Sequence, residues 1–183
     1  MNINSLRLNG FFFVLVLTAS GCAGVAQSVS STQPVSSTKF GVRYVIDFPA
    51  HPMCWQKEME ISSGKVQRDI CAYFDERVGH GFSAQVATFP KVPAATTAEE
   101  VLMGAASGGA SSADKDIVDE RFTKVSSFPA LDVTLVPREK GDVSFARFIL
   151  AGNDLITITA DGYDAREKPP AVNAFLESAR VLR

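Results

Sequence analysis

Residues 54–74, CWQKEMEISSGKVQRDICAYF, contain two runs in which polar and apolar side chains alternate. The runs at 54–61 and 66–74 predict two β-strands, because a strand directs successive side chains to opposite faces. Ser62 and Ser63 predict a two-residue turn between them, and that turn sets the register of the pair. The stretch therefore predicts an antiparallel hairpin in which Cys54 lies directly opposite Cys71.

The two faces of this hairpin differ in character. Cys54 and Cys71 share a polar face with Gln56, Glu58, Gln67 and Asp69, whereas the other face holds Trp55, Met59, Val66 and Ile70. The same register places Lys57 opposite Arg68, and like charges facing each other destabilise a strand pair. A longer turn is therefore an alternative to the two-residue one.

Outward from the hairpin, further runs of residues have the composition of strands. They lie at 40–48, 82–89, 117–125, 130–136, 143–150 and 154–160, and most are separated by Gly, Pro, Ser or Asp. The connections are short, and short connections favour antiparallel neighbours over parallel ones. These runs predict a central antiparallel β-sheet.

Two helices interrupt the predicted strands. Thr97 and Glu100 have the spacing of a capping box, followed by a short apolar face and then a Gly- and Ser-rich loop from 104 to 113. A second helix is predicted after Pro170, with its apolar stripe on the sheet; the stripe contains Val172, Phe175, Leu176 and Ala179. The fold class expected for 40–183 is α+β, a central antiparallel β-sheet covered by about two helices.

Composition narrows the functional classes. The chain has 183 residues and a formal charge of −2, which suits one domain and supplies no basic block for tracking phosphates. Nucleic-acid binding is therefore not expected. The residues from 23 to 39 are mostly Ser, Thr, Gln and Val, so 22–39 is interpreted as a flexible tether.

The N-terminus has the layout of an export signal over residues 1–21. One base, Arg7, precedes an apolar run at 11–17, and small residues lead to Cys22. Ser20, Gly21 and Cys22 resemble the lipobox of bacterial lipoproteins, which implies lipid, including palmitate, on Cys22. Because Ala19 stands where that family most often has Leu, ordinary signal cleavage after Gly21 or after residue 26 is the alternative. A non-acidic residue after the Cys implies the outer membrane, facing the periplasm.

The domain itself also resembles a known family. The motifs that carry the resemblance are Phe48-Pro49, Phe128-Pro129-Ala130, Phe145-Ala146-Arg147-Phe148 and Phe175-Leu176-Glu177-Ser178. Over 40–183 they are similar to bacterial lipoproteins of the PsbP-like and DcrB-like type. The resemblance implies an α/β sandwich and an interaction role in the cell envelope. It carries no binding residue over to this chain.

The remaining cysteines and the histidines have two readings. An exported chain matures in an oxidising compartment, so Cys54 and Cys71 are expected to form a disulfide. The alternative is a metal site, because His51 and His80, the two histidines of the chain, flank the same cysteines. The disulfide is the favoured reading, with no metal bound.

The sequence contains no recognisable catalytic set and no cofactor motif. It therefore predicts a non-catalytic, lipid-anchored protein that binds another envelope component, expected to be a protein. The alternative from another class is a small periplasmic hydrolase with an unrecognised site, in which His51 or His80 would be the base. Arg43, Lys57 and Arg147 are candidates for a basic pocket, against their simpler role as solvated charges.

Overall fold

A computed structural model describes residues 36–40, 43–61, 64–90 and 96–182. The described chain forms ten strands and two helices. In order they are β1 (Ser36–Phe40), β2 (Tyr44–Phe48), β3 (Met53–Ile61), β4 (Gly64–Asp75), β5 (His80–Thr88), α1 (Ala98–Ser112), β6 (Lys115–Val125), β7 (Phe128–Pro137), β8 (Val143–Ala151), β9 (Asp154–Tyr163), α2 (Pro170–Glu177) and β10 (Arg180–Val181).

A seven-stranded antiparallel sheet forms the centre of the fold, in the order β3-β4-β5-β9-β8-β7-β6. One of its faces packs against α1, and we name it the helix face. The other packs against α2 and a small sheet of order β1-β2-β10, and we name it the hairpin face. The predicted α+β class with a central antiparallel sheet and two helices is confirmed.

The register of the β3–β4 hairpin is the one that a two-residue connection requires. Pairing runs without interruption from Met53 opposite Ala72 to Ile61 opposite Gly64. Lys57 does lie opposite Arg68, and the Arg68 guanidinium has partners on β3 and β5. That group donates to Gln85 Oε1 on β5, and its Nη1 lies 3.0 Å from the sulfur of Met59.

Helix α1 is longer than the sequence predicts. Its N-terminus has the expected capping box, since Glu100 N donates to Thr97 Oγ1 at 3.2 Å and Thr97 N donates to Glu100 Oε2 at 2.7 Å. The Gly- and Ser-rich segment from 104, predicted to be a loop, continues the helix to Ser112. The reason is tertiary packing, because Ala106 and Ala110 are buried on the helix face of the sheet.

The domain begins earlier than the sequence predicts. Residues 36–39, assigned to the tether, form β1 together with Phe40, and the predicted single strand at 40–48 is two strands, with Phe40 opposite Tyr44. The assignment failed because Ser36–Lys39 bury no apolar stripe. They pair with β2 through their backbone, which needs none.

The predicted second helix is present as α2 and starts at Pro170, one residue earlier than predicted, because proline at the first helical position sacrifices no hydrogen bond. Val172, Phe175 and Leu176 are buried on the hairpin face. They pack there with Tyr44, Ile46 and Phe48 of β2. The β2 strand and α2 thus share one core. This core holds the β1–β2 hairpin against the large sheet.

The predicted signal at 1–21 and the lipid attachment at Cys22 lie outside the described residues. Within the residues that are described, no helix is long and apolar enough to cross a membrane.

Candidate functional site

A cleft of about 1260 Å³ opens on the hairpin face, between the β1–β2 hairpin and the outer part of the large sheet. One wall is the turn end of the hairpin, with Lys39, Arg43 and Tyr44, and the other is the β3–β4 pair, with Cys54 and Gln56. We name it the hairpin cleft. It exists because β2 is held over β5 and β9 by the core, whereas β3 and β4 extend beyond the small sheet.

At the inner end of the hairpin cleft, the buried phenol of Tyr44 links β2 to the large sheet. Tyr44 Oη donates to Asp154 Oδ2 at 2.6 Å, and Thr88 Oγ1 donates to Asp154 Oδ1 at 2.7 Å. Burial, and then the hydrogen bond to Asp154, raises the pKa of the Tyr44 phenol well above its ordinary value. The phenol therefore stays protonated and continues to donate, which fixes β2 to the start of β9.

The two walls of the cleft differ in charge. Lys39 and Arg43 are exposed, and within the described chain neither forms an ion pair. On the opposite wall the carboxylates have partners: Lys65 Nζ lies 2.7 Å from Glu58, and Gln56 donates to Asp69 at 2.7 Å. The hairpin wall is thus the cationic side of the cleft.

The structure contains the Cys54–Cys71 disulfide that the sequence predicts, on the sheet wall of the cleft. The sequence predicts a polar face around this disulfide, and that prediction is correct only near the turn between β3 and β4. Cys71 is 2% exposed and belongs to the core with Ala84 and Val86, because the small sheet covers that part of β4. Conversely Trp55, on the predicted apolar face, is 43% exposed, because α1 packs over β6, β7 and β8 instead.

The two histidines are not assembled with the cysteines. His51 Nδ1 lies 3.0 Å from Ser36 Oγ, and the His80 ring stacks on Tyr163 with 4.1 Å between ring centroids. Burial lowers the pKa of the His80 imidazole, against the opposing charge of Asp75. Nowhere in the described ranges are three or more His, Cys, Asp or Glu side chains grouped as metal ligands.

The candidate basic pocket does not form. Arg43 lies in the hairpin cleft, but Lys57 is on the helix face, because it pairs with Arg68, whose other neighbour is Ala87. Arg147 is buried under α2, where two of its nitrogens contact the Asp132 carboxylate at 2.6 and 2.8 Å. The three charges are therefore in three different environments.

The Asp132–Arg147 pair is a buried ion pair that the sequence analysis missed. Arg147 also donates to the carbonyl oxygen of Leu176 at 2.9 Å, which satisfies an acceptor in the last turn of α2. Burial opposes ionisation of Asp132, but the hydrogen bonds and charge of Arg147 outweigh it and hold the pKa of that carboxyl below its usual range. The signal in the sequence was a lone carboxylate between Leu131 and Val133.

A second, partly buried polar cluster lies at the start of β8. Ser144 Oγ contacts both Lys115 Nζ and Asp161 Oδ1, and Lys115 Nζ is 3.8 Å from the same carboxylate oxygen. Burial raises the pKa of Asp161, while the Ser144 hydrogen bond opposes that rise. A serine beside a lysine is an arrangement that some hydrolases use. Here the serine is 1% exposed, so its hydroxyl cannot meet a substrate in this conformation.

Comparison with known proteins gives matches among solved structures. No family model matches the chain. No curated protein matches it either. Among solved structures, it is similar to the solution structure of cyanobacterial PsbP (CyanoP) from Synechocystis sp. PCC 6803, at 17% sequence identity and a TM-score of 0.47, covering 90% of this chain and 98% of that one.

Proposed function

We propose that this chain is an exported protein, anchored through lipid on Cys22 in the outer membrane and facing the periplasm. We further propose that its domain binds an envelope protein in the hairpin cleft and catalyses no reaction. The observation that carries the binding function is the cleft itself, with Lys39 and Arg43 on one wall and neither in an ion pair with any described residue. Support for the anchor comes from the lipobox-like sequence at 20–22.

The size and lining of the cleft favour a polypeptide ligand. Its volume of about 1260 Å³ exceeds the roughly 300–1,000 Å³ of small-molecule pockets. Apolar side chains such as Val86 and Phe89 line it together with the two cations. An extended segment that alternates apolar and acidic side chains would bury the first kind against the sheet and pair the second with Lys39 and Arg43.

Site-specific photocrosslinking in cells tests the binding site. A photoreactive residue at Gln67, which is exposed and lines the cleft, should give an adduct with one envelope protein. The double variant K39E/R43E should reduce that adduct at least tenfold, because it reverses the charge of the hairpin wall. Lys124 is exposed on the distant strand β6, and the control variant K124E should leave the amount of adduct unchanged. Equal adduct from all three proteins would contradict the proposal.

Labelling with palmitate tests the anchor. Label should enter the wild-type chain and be absent from Cys22→Ser. The double variant C54S/C71S should retain it, because the disulfide is separate from the anchor. Wild-type protein released without label would contradict lipidation and leave cleavage after Gly21 or after residue 26 as the route.

A further inference from the structure

The edge strand β3 is long and lacks the bulge that often protects a sheet edge. It pairs with β4 over nine residues without a bulge, and no backbone-to-backbone hydrogen bond between described residues reaches its outer side. At the opposite edge, β6 has a register irregularity between Ile117 and Asp119. Bulges protect edges from pairing, and long regular edges invite it. The β3 edge is therefore the one able to accept another strand.

The disulfide shows which residues of β3 direct their backbone outward. Cys54 and Cys71 are paired with 4.1 Å between Cα atoms, the short spacing of a non-hydrogen-bonded pair. The N–H and C=O groups of Cys54 consequently point away from β4. By the two-residue period, the same holds for Gln56, Glu58 and Glu60. These residues present a row of donors and acceptors at the open edge.

Apolar side chains lie beside that edge on the helix face. Met53 is 77% exposed and Trp55 is 43% exposed. The charged residues of β3 alternate around them, with Lys57 on the same face as Trp55 and with Glu58 on the other. A strand added here gains cover for the apolar pair but must not place like charges opposite one another.

We propose that the occupant of this edge is the β3 strand of a second copy, paired antiparallel about a two-fold axis at Gln56. This register places Cys54 opposite Glu58, Trp55 opposite Lys57, and Met53 opposite Met59. Three outward-facing pairs then form about six main-chain hydrogen bonds. Lysine over an indole ring is an additional favourable contact.

Charge selects this register among the neighbouring ones. An axis at Lys57 gives the longest overlap but opposes two lysines, and an axis at Glu58 opposes two glutamates. An axis at Trp55 opposes no like charges but leaves only five overlapping residues, since β3 begins at Met53. The axis at Gln56 combines seven overlapping residues, 53–59, with no like-charged pair.

The symmetry of this dimer also suits a chain that is attached to a membrane. This argument rests on the proposed lipid anchor at Cys22. A two-fold axis perpendicular to the sheet keeps the hairpin face of both copies on the same side. The β1 strands, which start at Ser36, lie on that face, so Ser36 of both copies is on the same side of the dimer. The two hairpin clefts become neighbours across the axis, because Gln56 and Glu58 line each of them.

Cysteine substitution in the full chain tests both the dimer and its register. Under oxidation in cells, Gln56→Cys should give a covalent dimer on a non-reducing gel, since facing Cα atoms about 5.5 Å apart permit a disulfide. Lys57→Cys and Glu60→Cys should give at least tenfold less, because in this register neither position faces its own copy or a native cysteine. A stronger dimer from either of these would overturn the register. Monomer from all three, or an adduct with another protein, would overturn the second copy as occupant.

Proline at the same edge separates dimerisation from folding. In the Gln56→Cys background, Glu58→Pro removes an outward N–H inside the overlap and no bond to β4, so the chain should keep its native disulfide and lose at least tenfold in crosslinked dimer. Glu60→Pro makes the same change outside the proposed overlap and should retain the dimer. Equal dimer from both variants would refute the proposal. Neither variant alters Lys39 or Arg43, so the cleft experiment is judged separately.

Discussion

Replacing Arg147 by methionine should cost a large part of the stability of the domain. The side chains of Arg147 and Asp132 are 10% and 6% exposed, and two contacts of 2.6 and 2.8 Å join them. Methionine fills most of the space but leaves the carboxylate buried without its main partner. It also leaves the Leu176 carbonyl oxygen without its donor. Breaking a buried pair on one side costs about 3–5 kcal/mol.

The sign of the pH dependence follows from the pKa of Asp132. In the wild-type protein this pKa is lowered by Arg147, so the pair contributes its full stability above the unfolded pKa of about 3.9 and loses it as the pH falls through the folded pKa. In Arg147→Met, burial prevails and raises the pKa of Asp132, so protonation relieves the variant as the pH falls. The difference in unfolding free energy should therefore shrink between pH 7 and pH 4.

Urea unfolding followed by far-ultraviolet circular dichroism measures this difference. The double variant R147M/D132L should recover most of the loss, because it removes both buried charges. Arg138→Met is the matched control: its ion pair with Asp116, at 2.9 Å, is on the surface, and its loss should change stability by less than about 1 kcal/mol. A deficit for Arg147→Met below about 1 kcal/mol at pH 7, or one that stays constant down to pH 4, would refute the reasoning.

Three further outcomes follow from the fold. Reducing the Cys54–Cys71 disulfide, whose partners are 17 residues apart, should lower the free energy of unfolding by about 3 kcal/mol, measured in urea with and without dithiothreitol; an unchanged midpoint would contradict this. Gly108→Ala should raise stability by roughly 0.5–1 kcal/mol, since an added Cβ there meets nothing within 4 Å and the residue is helical; no gain in thermal midpoint would speak for a loop instead. Gly162→Ala should destabilise by several kcal/mol or prevent folding, because φ is +92° and the new Cβ would lie 2.2 Å from the carbonyl oxygen of Gly79; near-normal expression and melting would contradict that geometry.

The strands of the large sheet were predictable because their signal is local. Alternation within β3 and β4 defines two strands, and one short turn between them then sets every pair of the hairpin, including Cys54 with Cys71. The β1 strand was not predictable in the same way. Its residues 36–39 are polar and form no apolar stripe, so its pairing with β2 is visible only in three dimensions.

The helix α1 and the hairpin cleft required information from distant parts of the chain. Gly108 and Gly109 are typical of loops, yet small residues let this helix lie close to the sheet; a Cβ on Gly109 would be 3.9 Å from the Phe148 ring. Lys39 and Arg43 meet the β3–β4 wall only because β2 folds over the sheet. The buried Asp132 was accessible in principle, as a charge inside an apolar strand.

The small sheet has a mechanical consequence. Ser36 pairs with Phe48 at the open end of the β1–β2 hairpin, so a pull on the chain before Ser36 loads one pair of β1 at a time. Peeling β1 away would release five residues, about 17 Å of extended chain. The central sheet would not have to open, and β2 would remain held by β10 and the core. Under force, β1 can thus unpair from β2 and lengthen the segment before the domain, while the rest of the fold stays intact.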